Sequence, residues 1–119
     1  MTRTSRPTEP FFWSLFSAGG TLAALVLPAL FFLLFLAGPA GWVELPSPDV
    51  LAALLHPWLA RLALFALVAL GFFHWAHRFR YTLYDGLQLH HLYGMIALFC
   101  YGGAAAMSLA ALWYLARLP

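Results

Sequence analysis

Trp13, Phe16, Ser17 and Gly20 stand at i, i+3, i+4 and i+7 within the stretch EPFFWSLFSAGG, a spacing that puts side chains on one face of a helix. Such a face offers an indole N–H, an aromatic ring, a hydroxyl and a gap where glycine has no side chain. A flat, mostly apolar ring with oxygens at its edges could lie there, with the glycine leaving room and the indole donating to an oxygen. The ordinary alternative is an interfacial tryptophan beside a helix-packing glycine. A second candidate cluster is HWAHRFRYTLYDGLQLHH, residues 74–91, the most polar stretch of an apolar chain. If a helix runs through its start, His74, His77, Arg78 and Tyr81 share one face, with Asp85 a turn further on if helicity persists. Here the ordinary reading is basic residues anchoring a helix end to anionic headgroups.

Several elements must carry these residues. The chain of 119 residues is 64% hydrophobic and 8% charged, which no soluble globular domain matches. The expected fold is all-α, an integral membrane protein with three transmembrane helices at about residues 11–37, 59–79 and 92–115. Residues 1–119 are read as a single membrane-anchor domain with a cytoplasmic tail at 1–10. Pro10 suits the first turn of a helix, because its missing N–H has no intrahelical partner there. The apolar stretch after Arg3 and Arg6 is longer than the roughly 7–15-residue h-region of a signal peptide, so it is expected to stay in the mature protein. At 1.5 Å per residue the first helix is about 39 Å long against a ~30 Å hydrocarbon core, and Pro28 is its expected kink. Two small-residue stripes, Gly20–Ala24–Pro28 and Gly102–Ala106–Ala110, are expected packing faces. The segment 50–60, interrupted by His56 and Pro57, reads as an interfacial lead-in continuing into the second helix, where Arg61 can snorkel outward. Cys100 is read as a small packing residue.

Arg3, Arg6, Arg78 and Arg80 fall on one side of the membrane and Arg61 and Arg117 on the other. The positive-inside rule then makes the N-terminus cytoplasmic and the C-terminus outside. Both candidate clusters meet at the cytoplasmic surface. There is no lysine and no basic groove, so a nucleic-acid partner is not expected.

The string EPFFWSLFSAGG before a proline-containing apolar helix, and HRFRYTLYDGLQLH from His77 to His90, resemble the membrane-anchor D subunit of fumarate reductase. The resemblance spans nearly the whole chain, with Arg61 and the three-helix spacing in agreement. It implies a haem-free anchor in the bacterial inner membrane that helps bind menaquinol. It also implies three partners, a flavoprotein subunit, an iron–sulfur subunit and a second anchor, the C subunit, with membrane lipid around them. In this family the positions matching Trp13 and Arg78 lie at the quinone pocket, with Phe16 and His77 as neighbours. No catalytic residue and no metal ligand is expected, and the chain is a non-catalytic subunit by itself. Trp13 can only donate and Arg78 stays protonated, so both would orient a quinol rather than take its protons. His77, Asp85 or a neighbouring subunit's carboxylate could accept them. The sequence has no cysteine cluster for iron–sulfur and no dinucleotide fingerprint, so the redox chain belongs to partners. Where the family is histidine-rich after the His-Arg pair, this chain has Arg80, Tyr81 and Tyr84. A haem-containing anchor of succinate dehydrogenase is the nearest alternative and requires an axial histidine within the bundle, where only His74 comes close. A small transporter would need an ionisable group at depth, and the first and third helices have none between their ends. A structural assembly factor stays open.

Overall fold

The computed structural model describes residues 9–119, so Arg3, Arg6 and the rest of 1–8 lie outside the described residues. Helix α1, Glu9–Phe32, starts with Pro10 in its first turn and carries Pro28 inside it. It widens into a π-helical segment, Leu33–Ala37, closed by a Gly38 N–H bond to the Leu33 carbonyl at 2.9 Å. The following loop turns at Gly41, whose φ of +73° is a left-handed conformation that glycine adopts without strain. Short helix α2, Pro48–Leu55, has Ser47 as N-cap, proline at its start and Asp49 in its first turn, the arrangement that satisfies the leading N–H groups.

Helix α2 does not continue into the next helix, as residues 50–60 had suggested. Pro57 adopts extended backbone at ψ 130° and caps a separate helix, α3, Trp58–Tyr81. Helical winding runs on from α3 as a π-helical segment, Thr82–Gly86, and so reaches Asp85. After Gln88, at φ 54°, a 3-10 turn at His90–Leu92 leads into α4, Tyr93–Ala116. Among the described residues, three continuous spans are long and apolar enough to cross a membrane: Pro10–Ala37, Trp58–Gly86 and His90–Ala116, of 28, 29 and 27 residues. Each exceeds the ~20 residues a bilayer core needs, so the helices tilt or project beyond it.

Helix α3 is the centre of the arrangement, with α1 and α4 packed mainly on it rather than on each other. The α1–α3 seam depends on glycine. A Cβ on Gly19 would lie 2.9 Å from the Leu70 carbonyl oxygen, and one on Gly20 would overlap the His74 ring. Thus Gly19, Gly20 and Ala23 form the contact, while Ala24 and Pro28 of the expected stripe are exposed. On α4 the buried positions are Ile96, Cys100, Ala104 and Ser108, and Gly102, Ala106 and Ala110 face away from the core. Cys100 is fully buried, as a packing residue should be.

Two polar side chains hold the opposite ends. At one end the buried Tyr84 donates to the Tyr93 carbonyl at 2.9 Å and stacks on the Tyr93 ring at 4.9 Å, fastening the α3–α4 connection. At the other, Arg61 does more than snorkel. Its guanidinium donates to the carbonyls of Leu55, Leu115 and Pro119, supplying partners to carbonyls that helix ends leave unpaired.

The glycine seam yields a direct test. Gly19→Ala sets a methyl group against fixed backbone, and should lower the stability of the detergent-solubilised chain by about 1–3 kcal/mol, the usual cost of overpacking. Gly94→Ala meets nothing within 4 Å and should be neutral or stabilising; thermal unfolding followed by circular dichroism compares the two.

Candidate functional site

The N-terminal turns of α1 and the C-terminal turns of α3 meet at one end of the molecule. His74 stacks face to face on Phe16, with ring centroids 4.3 Å apart and planes at 20°, and its Nδ1 lies 3.1 Å from the Phe16 carbonyl. Its imidazole fills the space beside Gly20. The gap that the sequence offered to a bound ring is therefore occupied by the protein itself. Ser17 is exposed and lines neither cleft at this end.

One turn along α3, His77 packs edge-on against the same Phe16 ring. Its ring centroid is 4.7 Å from Phe16, 6.3 Å from Trp13 and 5.1 Å from Tyr81. The guanidinium carbon of Arg78 lies 5.9 Å from the Phe16 centroid, within cation–π range. Trp13, Phe16, His77, Arg78, Tyr81, Thr82 and Asp85 together line a cleft of about 470 Å³, within the roughly 300–1,000 Å³ of small-molecule sites. All four candidate residues of the sequence reading, Trp13, Phe16, His77 and Arg78, thus share one cleft. The i, i+3, i+4, i+7 face of α3 is formed as expected, except that His74 turns to α1.

Chemically, the cleft has an aromatic wall, an indole donor, a guanidinium, an imidazole and a carboxylate, a set suited to holding a flat molecule by its oxygens and moving a proton. Trp13 is 62% exposed, so the cleft is open on the α1 side and can be covered by another protein. Asp85 and His90 make only a loose pair at 4.0 Å, with both side chains exposed. A larger groove of about 840 Å³ runs along α3 between Leu27 of α1 and the Leu98–Met107 part of α4. Its lining is apolar apart from the Trp75 indole, so it lacks the ionisable groups of the smaller cleft.

The sequence profile of the family of fumarate reductase D subunits matches residues 3–116. The chain belongs to the fumarate reductase D-subunit family. The fumarate reductase D subunit of Mycobacterium tuberculosis strain H37Rv is 47% identical over 110 residues, covering 92% of this chain and 88% of the relative. The D subunit of Mannheimia succiniciproducens is 33% identical over 108 residues, covering 91% and 90%, and that of Haemophilus ducreyi 34% identical over 85 residues, covering 71% of each. With its three long apolar helices, this family member is a multi-pass membrane protein.

Sequence reasoning missed Tyr101 and Thr82. Tyr101, on α4, places its hydroxyl 2.8 Å from His77 Nδ1 and lines a second cleft with Phe12, Trp13, Phe16 and His77. The available signal was a tyrosine inside an apolar helix, since a buried hydroxyl usually has a partner. The stacking of His74 and Phe16 is checked by proton NMR of the micelle-solubilised chain. The His74 ring protons should resonate upfield of those of exposed His91, and Phe16→Ala should move them back downfield.

Proposed function

We propose that this chain is a single membrane-anchor unit of a fumarate reductase complex, and that the Trp13–Phe16–His77–Arg78 cleft forms part of its menaquinol-binding site. The observation that carries this reading is the convergence of aromatic wall, fixed cation and imidazole at the end of the molecule where α1 begins and α3 closes. Trp13 and Arg78 donate to the oxygens of the bound ring, and Phe16 provides a face for it to lie on. Among the residues lining the cleft, His77 is the imidazole packed on the aromatic wall, with Asp85 at the rim. In this reading the anchor carries no haem, and His74 serves the α1–α3 contact by stacking on Phe16.

The openness of the cleft suits an iron–sulfur subunit seated over it, which would pass electrons to a flavoprotein subunit that reduces fumarate. The second anchor, the C subunit, would lie along the apolar groove, where Gly102, Gly103 and Ala106 permit close helix approach. Arg78 and Arg80 lie in the last turn of α3, with Arg78 against Phe16 of α1, which by the positive-inside rule orients the N-terminus to the cytoplasm of the bacterial inner membrane and the C-terminus outside.

The complex, purified in mild detergent, tests this reading. Flavoprotein and iron–sulfur subunits should co-purify with the chain, without a b-haem absorption band. Trp13→Phe and Arg78→Leu should lower menaquinol-driven fumarate reduction about 10- to 100-fold, the scale of a lost hydrogen bond to a charged group, while reduction driven by a soluble viologen stays near wild type. Equal losses with both donors would place these residues in assembly rather than in a quinol site.

A further inference from the structure

Tyr101 lies about two turns into α4, on a different element from every residue assigned to the cleft. Its hydroxyl is 2.8 Å from Nδ1 of His77, and among the described residues it is the hydrogen-bond partner of that imidazole. The tyrosine ring also meets a cation, with the guanidinium carbon of Arg80 5.1 Å from its centroid. A cleft of about 350 Å³ joins Tyr101 to Phe12, Trp13, Phe16 and His77, so the hydrogen bond sits at the wall of the site rather than remote from it.

An imidazole has two nitrogens, and fixing one fixes what the other can do. We propose that Tyr101 is a positioning residue for His77, holding Nδ1 so that Nε2 is the edge turned to a quinol oxygen; this rests on the menaquinol reading given above. With Nδ1–H donating to the Tyr101 oxygen, Nε2 carries the lone pair. The quinol O–H bond breaks, an Nε2–H bond forms, and the tyrosine oxygen continues to accept from Nδ1–H as the ring becomes imidazolium. The second proton goes to the Asp85 carboxylate at the rim of the cleft. The two electrons leave singly for an iron–sulfur cluster of the partner subunit, and the quinol becomes quinone. The other charged or titratable groups around the imidazole are His74, Arg78, Arg80 and Tyr81 from α3, and Asp85 beyond it. Helix α1 contributes Trp13 and Phe16, neither of which takes a proton. Tyr101 is thus the group from outside α3 that sets the state of the ring.

A double-mutant cycle in the assembled complex separates positioning from simple packing. Tyr101→Phe keeps the ring and removes only the hydroxyl. It should lower kcat for a menaquinol analogue roughly tenfold, with KM little changed and viologen-driven fumarate reduction intact. In a His77→Ala background the same change should cost nothing further. Full additivity of the two losses, or wild-type turnover by Tyr101→Phe, would overturn the proposal. Independently of turnover, the nitrogen-15 shifts of His77 in the full-length chain should change in Tyr101→Phe, and unchanged shifts would overturn it as well. Failure of the underlying reading is distinguishable. In that case Trp13→Phe and Arg78→Leu also leave quinol turnover unchanged, and the inference falls with it.

Discussion

The His74 imidazole lies between Phe16 and Gly20, and that contact fixes how α1 meets α3. It needs glycine on one side, because a methyl group at position 20 would overlap the ring. It needs an aromatic face on the other, since the ring is stacked at 4.3 Å. In a bilayer, helices gain nothing from hiding apolar surface from lipid tails that are equally apolar, so close packing and polar contacts have to define the interface. The Gly19–Leu70 approach supplies the packing and the His74–Phe16 carbonyl contact supplies the polar link. Trp13, one turn before Phe16, and His77, one turn after His74, are brought together as a consequence.

The cleft built on this contact is open, as suits a member of a family of complex subunits. Aromatic and cationic groups gather at one end, while the long groove along α3 is lined almost wholly by apolar side chains and small residues. At the opposite end Arg117 lies over the Trp113 ring at 4.1 Å, without a histidine or carboxylate beside the pair among the described contacts, and Arg61 is bound to backbone carbonyls and serves the fold. Arg61 closes helix ends, whereas Arg78 faces a cleft.

Much of this was legible in the sequence because hydropathy and helical spacing both had contrast where the site lies. The three spans stood out by length, and Trp13 with Phe16 and His77 with Arg78 could be placed on faces because polar residues interrupt an apolar background. Contrast failed inside the helices. Helix α4 is apolar all round, so nothing local distinguished the buried Ile96–Cys100–Ala104–Ser108 row from the outward Gly102–Ala106–Ala110 row. Gly20 was read as room for a ligand, since the histidine that fills it is 54 residues away (74 − 20). The partnership of Tyr101 with His77 is likewise long-range, and spacing rules within one helix cannot find it. The break at Pro57 had a visible cause, yet whether the chain stopped or bent there depended on the separate capping of α2.

The central claim is that the cleft between α1 and α3, and not the apolar groove along α4, takes the quinone ring. Photolabelling of the intact complex with an azido-naphthoquinone, followed by peptide mapping, tests it most directly. The account predicts labels on the peptide containing Trp13 and Phe16 and on the one containing His77 to Asp85, with competition by unlabelled menaquinone. Competed labelling confined to residues 98–107 would contradict it.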